Sequence, residues 1–256
     1  MKQGLSAVIP IQDAYTMDYP IVECIRSILP VCDEVVLADW RSTDGTREML
    51  EEWGHIDNRI KVVHYTANEP KGDTEYNLRW MNFARERVSM NTMLHMDADE
   101  ILDDTEECLA TIRAAIGTGQ CLTFNRINFW RDHHHVIPDG YFLGKYVTRL
   151  GPSNYWLPCD EPRHPTESRL RDDAVHQPEL KLFHVGFLRK TDAFYAKARR
   201  LLMRKFARYD HRLEASETAG HPVWCSEMDF SDKLETYDGP YPKEMRRWLA
   251  DRGIEV

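Results

Sequence analysis

Residues 93–102 read Met-Leu-His-Met-Asp-Ala-Asp-Glu-Ile-Leu. An apolar, strand-like stretch runs directly into Asp97 and Asp99. Two carboxylates at i and i+2 on an extended backbone point the same way. Together they offer hard oxygen ligands to Mg²⁺ or Mn²⁺, ions that also accept phosphate oxygens. A divalent ion would offset the repulsion between the two acids. The competing reading is an acidic helix start. Asp103, Asp104, Glu106 and Glu107 fit that reading, because acids favour helix N-termini. Asp97 and Asp99 precede the helix, where capping does not require both. A second acid, Asp39, ends another apolar run, Glu34-Val-Val-Leu-Ala-Asp39. Taken alone it is a turn residue. Two acids that each terminate a strand point to a shared ligand edge.

The elements that must position these acids alternate. Apolar runs at residues 5–11, 34–39, 59–64 and 91–96 read as strands. Helices are expected between them. One is capped by Asp18, with Pro20 in its first turn and Ile21, Val22, Ile25, Ile28 and Leu29 at helical spacing. Others cover 46–53, 75–89 and 105–116. This order predicts an α/β fold with a mainly parallel sheet and helices on both faces. Beyond residue 120 the order weakens. Strands are expected at 121–129, 143–150 and 180–185, and helices at 190–209 and 242–249. The expected division is a first half over 1–117, a second half of the same domain over 118–210, and a helical extension over 211–256.

At this point the motifs carry a resemblance. The segment Glu34 to Thr46, with Asp39, Ser42, Asp44 and Gly45, is similar to the nucleotide-binding segment of family 2-type glycosyltransferases of the GT-A, Rossmann-like fold. Leu94-His-Met-Asp97-Ala-Asp99-Glu-Ile101 resembles their D-x-D segment. The opening Ala7-Val-Ile-Pro10 matches as well. The resemblance implies a metal-dependent transfer of a sugar from a nucleoside diphosphate, UDP by implication, to an acceptor hydroxyl with inversion. It also makes residues 1–117 the nucleotide-sugar (donor) binding half and 118–210 the acceptor-side half, and it implies residue roles. Pro10, Gln12 and Asp13 would line the nucleoside pocket, and Asp39 would contact base or ribose. Trp40 and Arg41 stand where a small residue is usual, which would alter base recognition. Asp97 would approach ribose and metal, and Asp99 would bind the metal holding the diphosphate.

The second half is similar to the same family more loosely. Leu182-Phe-His184-Val-Gly186 resembles its His-x-Gly segment, so His184 would be a third metal ligand; read alone it is a hydrogen-bonded core histidine. Arg189 would face the leaving diphosphate. The transfer needs a carboxylate to take the acceptor proton. Asp160 falls near where relatives carry such an acid, with Asp139, Asp132 and Glu161 as rivals. His133-His134-His135 reads as a solvated loop, since consecutive side chains on an extended chain alternate faces.

Composition narrows the remaining classes. The chain has 256 residues, 42% of them hydrophobic, and a net charge of −9. That balance disfavours a general nucleic-acid coat protein. Residues 189–212 nevertheless carry a local charge of +7, with Lys197, Arg200, Arg204 and Arg208 along one helical face. The six cysteines form no C-x-x-C pair, so free thiols and a cytoplasmic setting are expected. No apolar run is long enough to span a membrane. The favoured acceptor is a saccharide or other glycan. The same chemistry on a modified base of phage DNA is permitted but not favoured. Nucleotidyltransferases share strand-end acids, yet residues 12–17 lack their glycine-rich, basic phosphate loop. A non-catalytic nucleotide- or glycan-binding module is the third reading.

Overall fold

The computed structural model describes residues 1–67, 75–130, 132–138, 146–156, 174–188, 193 and 233–256. The first half alternates as β1 (Lys2–Ile11), α1 (Ile21–Ile28), β2 (Glu34–Asp39), α2 (Thr46–Ile56), β3 (Ile60–His64), α3 (Glu75–Arg85) and β4 (Met90–His95). There follow β5 (Glu100–Leu102), α4 (Glu106–Ala115), β6 (Leu122–Trp130), β7 (Asp132–Val136), β8 (Tyr146–Pro152), β9 (Val175–His184), β10 (Glu235–Thr236) and α5 (Lys243–Ala250).

One ten-stranded sheet runs through these elements in the order β10-β7-β6-β8-β4-β1-β2-β3, with β5 and β9 pairing off that path. The block β4-β1-β2-β3 is parallel throughout. Its strands are near-continuous apolar runs because helices cover both faces. On one face Ile25 and Ile28 of α1, Leu50 of α2 and Ile112 of α4 pack on Leu5, Ile9, Val35 and Leu37. On the other, Ala84 of α3 and Val88 pack on Val8, Val36 and Met93. The α/β class and the helix-flanked parallel core agree with the expected fold. The second half adds antiparallel strands. Strand β8 lies between β4 and β6 and runs against both, while β9 lies parallel to β6 and antiparallel to β5.

Three expectations change. The histidine run is strand β7, paired with β6 and β10, rather than a loop. Residues 100–102 form β5, where no strand was expected. Asp18 does not cap α1: Pro20 takes the cap position without a side-chain bond. Asp18 adopts the left-handed conformation, φ 51°, and its Oδ1 lies 2.5 Å from Arg252 Nη2 just after α5. The helix expected at 190–209, with its basic stripe, lies outside the described residues except for Ala193. Of the six cysteines, Cys24, Cys32, Cys108 and Cys121 are free and buried. No helix among the described residues is long and apolar enough to cross a membrane.

Where α1 meets α5, Glu23 is buried. Burial pushes its carboxyl above the ordinary value, and Asp251 and Glu244 add to that, against Arg26 and its own backbone hydrogen bond. The folded state therefore holds the proton more tightly than the unfolded chain, and stability falls as pH rises through that window. Glu23→Gln should raise the melting temperature at pH 7. The gain should vanish below about pH 4, where the glutamate is protonated in both states. Thermal melts of both proteins across pH check this, and equal melting temperatures at pH 7 would contradict it.

Candidate functional site

The carboxyl ends of β1, β2 and β4 lie side by side, the place where open parallel sheets bind ligands. The loops after β1 and β2 are laced together there. The Asp13 amide donates to Ser42 Oγ (2.8 Å) and the Thr43 amide returns a bond to Asp13 Oδ1 (2.8 Å). The Thr16 amide donates to Asp44 Oδ2 (2.7 Å), and Thr46 Oγ1 donates to Asp44 Oδ1 (2.6 Å). Burial raises the Asp44 carboxyl, but these bonds outweigh it and leave the group below its ordinary value. Asp13 and Arg41 both adopt left-handed conformations, φ 46° and 51°. That region is uncommon for non-glycine residues and, in an arginine, strained. Pro10 and Gln12 are half-buried at the mouth of these loops, and Arg41 is exposed.

Asp39 is placed differently from a group open to ligand. Its side chain is 0% exposed. Oδ1 accepts from the Ser42 amide (3.1 Å). Oδ2 accepts from Arg47 Nε (2.9 Å) and Nη2 (2.8 Å), and His64 Nδ1 stands 3.4 Å away. The carboxylate thus ties the second loop to α2 and β3. Trp40 turns the other way and packs with Trp80, Tyr65 and Phe83; its ring centroid lies 5.5 Å from that of Trp80.

The acidic motif is a turn, not an extended segment. The Glu100 amide donates to Asp97 O (3.1 Å), and Glu100 Oε2 accepts from the Asp97 amide (3.0 Å). The two aspartates take different partners. Asp97 meets two buried arginines. Arg149 Nη2, from β8, lies 2.6 Å from both Asp97 Oδ2 and Glu100 Oε1. Arg126, from β6, places Nε 3.0 Å from Glu100 Oε1 and Nη2 3.7 Å from Asp97 Oδ2. Burial pulls the Arg149 guanidinium down, and the two acids outweigh it and raise it above its ordinary value. Burial alone would raise Asp97, but Arg149, with His95 and Arg126, holds it well below the carboxylate range. Glu100 moves up instead, driven by burial and by Asp97 beside it. Burial also pushes the adjoining His95 imidazole down to about 4.

Asp99 turns toward β9. Antiparallel pairing sets Glu100 opposite His184, and the Val185 amide donates to Asp99 O (3.0 Å). His184 Nε2 then lies 3.6 Å from Asp99 Oδ2. Both atoms face Gly186, where a Cβ would come within 2.5 Å of His184 Nε2 and 2.7 Å of Asp99 Oδ2. A carboxylate oxygen and an imidazole nitrogen over a bare glycine fit Mn²⁺ or a similar ion. Among the described residues no three His, Cys, Asp or Glu side chains form a metal-holding group. The structure thus brings Asp99 and His184 together and puts Asp97 on Arg149. Asp160, Asp139 and Arg189 lie outside the described residues.

Sequence reasoning missed Glu100, Arg126 and Arg149. A signal was there. Each arginine interrupts an apolar strand, and fully buried arginines are rare unless paired.

No protein-family model matches the chain, and no curated protein does. Solved structures do. S. aureus TarS residues 1–349 is 16% identical, with 99% of this chain and 79% of that one covered and a TM-score of 0.48. A mannosyltransferase from Pyrobaculum calidifontis, in complex with GDP-Man and Mn²⁺, is 15% identical over 98% and 69%, with a TM-score of 0.48. A putative glucose-1-phosphate thymidylyltransferase from Bacillus anthracis is 8% identical over 79% and 96%, with a TM-score of 0.47.

Two outcomes test this geometry. Gly186→Ala should separate Asp99 from His184 and weaken Mn²⁺ binding about 10–100-fold, read by titration calorimetry; unchanged affinity would refute the paired ligand site. Arg149→Met leaves the buried Glu100 and the half-buried Asp97 short of a partner and should cost about 3–5 kcal/mol in urea unfolding.

Proposed function

We propose that this protein is a metal-dependent glycosyltransferase that moves a sugar from a nucleoside diphosphate to an acceptor hydroxyl. The observation that carries the reading is the meeting of Asp99 and His184 over Gly186, at the sheet edge where the laced loops after β1 and β2 also end. The motif order in the sequence supports it. Asp99 and His184 would hold Mn²⁺ or Mg²⁺, which when bound neutralises charge on the donor diphosphate.

The chain's own residues supply the rest. Pro10, Gln12, Asp13 and Arg41 frame the nucleoside, on loops fixed by their mutual hydrogen bonds. Asp39 acts from behind them, holding Ser42 and Arg47 rather than meeting the ligand itself. Asp97 presents an ionised carboxylate to the ligand side. In the transfer, the acceptor oxygen forms a bond to the anomeric carbon as the bond to the diphosphate oxygen breaks. The acceptor proton passes to a carboxylate, and inversion follows from attack on the opposite face. Asp160 is our assignment for that base, with Asp139 the alternative, and Arg189 for the charge of the leaving group. UDP is the nucleotide implied by the sequence resemblance, and a glycan is the favoured acceptor.

The direct test is a screen of nucleotide sugars with Mn²⁺ that reads nucleoside diphosphate release. Wild type should release it from at least one donor, and EDTA should stop it. Asp99→Asn should lose at least about 100-fold of that activity while keeping its melting temperature. Full activity of Asp99→Asn in EDTA would refute the metal role. Pyrophosphate release from a nucleoside triphosphate and a sugar phosphate would instead favour a nucleotidyltransferase.

A further inference from the structure

The loop after β1 makes one helix-like turn, and its last residue breaks a rule. The Met17 amide donates to Asp13 O (2.9 Å), the Asp18 amide to Tyr15 O (3.1 Å) and the Tyr19 amide to Ala14 O (2.9 Å). The last two bonds are the pair that closes a helix end when one residue turns left-handed, and glycine is the usual residue at that point. Here it is Asp18, φ 51°. An acid in that conformation carries a steric cost that glycine does not, so its side chain has a use that the turn itself does not explain. The partner comes from the other end of the chain. Arg252 Nη2 donates to Asp18 Oδ1 (2.5 Å). Glu23 and Asp251 also attract this guanidinium, but neither accepts that bond.

Arg252 is itself held in place. Its Nη1 donates to Trp248 O (3.2 Å), and its guanidinium carbon stands 3.7 Å from the Trp248 ring centroid. Trp248 is buried in one apolar cluster with Met245 and Leu249 of α5, Ile101 of β5, and Phe183 and Val185 beside His184. The Lys243 amide at the start of α5 donates to Asp104 Oδ2 (3.0 Å), just beyond β5. So α5 grips the strands that carry Asp99 and His184, and the residue just after it grips the loop after β1. The same turn is laced to the loop after β2 through the amides of Asp13, Tyr15 and Thr16.

We propose that Arg252 is a positioning residue for nucleotide binding. Through Asp18 it ties the loop after β1 to the apolar cluster of α5, β5 and β9, so that the nucleoside loops and the Asp99–His184 pair keep one spacing. The inference deepens the nucleotide-sugar reading above and rests on it. A nucleoside diphosphate must reach from those loops to that pair, and a spacing set beforehand lowers the entropy lost on binding. Without the tie, the turn keeps its backbone bonds but loses its hold on the second half of the chain.

The experiment measures binding of uridine and guanosine diphosphates at saturating Mn²⁺ to wild type, Asp18→Gly, Arg252→Ala and the double variant. Mn²⁺ affinity without nucleotide and thermal melts are recorded for each. Glycine suits the left-handed position, so Asp18→Gly removes the carboxylate and preserves the turn. Each single variant should bind the diphosphate that wild type binds about tenfold more weakly, the scale of one hydrogen bond between charged groups. The double variant should fall no more than about twofold below either single one, because both remove the same tie. Mn²⁺ affinity should stay within about twofold of wild type, as for a site that shares no partner with Arg252. A merely structural ion pair would lower the melting temperatures and leave nucleotide affinity unchanged, and that result overturns the proposal. Losses that multiply to about 100-fold in the double variant overturn it too, since the two residues would then act separately. Mn²⁺ affinity that falls in step with nucleotide affinity also counts against it, as general damage to the fold. If Arg252→Ala does not fold, Asp18→Gly decides alone, and unchanged nucleotide affinity there overturns the proposal. Wild type that binds neither diphosphate overturns the nucleotide reading itself, and this inference with it. Wild type that binds one while the variants bind it equally well overturns the inference alone.

Discussion

Arg149 Nη2 stands 2.6 Å from one carboxylate at the start of the acidic turn and 2.6 Å from another at its end. Around that nitrogen the two halves of the chain are joined. Asp97 and Glu100 follow the last strand of the parallel block, while Arg149 and Arg126 come from strands that extend the sheet beyond it. Gathering three buried ionisable groups and the half-buried Asp97 is costly unless they are paired and hydrogen-bonded. Here the pairing is nearly balanced, two acids against two arginines, and the turn's own backbone takes the remaining Glu100 oxygen. The benefit is geometric. With both ends of the turn fixed, Asp99 faces β9, and the pairing of β5 with β9 delivers His184 to it.

The side of the site that we propose for the nucleoside is built by the same means at smaller scale. Asp13 and Asp44 accept from amides of the neighbouring loop, while Asp39 accepts from the Ser42 amide of its own loop and from Arg47. Their first effect is to hold two loops in one shape. Two left-handed non-glycine residues, Asp13 and Arg41, persist within that lacing. Such conformations survive only where the surroundings over-determine them. A pocket preformed in this way would lose less entropy on binding the proposed nucleotide.

Local patterns made the parallel half legible. Its strands are short apolar runs bounded by turn residues, and its helices carry regular apolar faces. Asp97 and Asp99 stood out because acids close a strand-like segment, and His184 through the resemblance of its His-x-Gly segment. The arginine pairing did not show, because it depends on β8 inserting between β4 and β6, a non-sequential neighbour relation that no local pattern encodes. The different partners of Asp97 and Asp99 were hidden for a related reason. The i, i+2 rule assumes an extended backbone, and Glu100 closes a turn instead. Asp18 misled because an acid before a proline fits a helix cap. Its partner, Arg252, is almost the whole chain away. The histidine run read as a loop because β7 takes its order from β6 and β10 rather than from an apolar face of its own.

The proposed chemistry turns on where a divalent ion sits. Crystals grown with Mn²⁺ and a nucleoside diphosphate, with diffraction recorded at a wavelength where manganese scatters anomalously, would locate it. The account predicts one peak bonded to Asp99 Oδ2 and His184 Nε2, with Asp97 still on Arg149. A peak bonded to Asp97 with Arg149 displaced, or no peak beside His184, would contradict it.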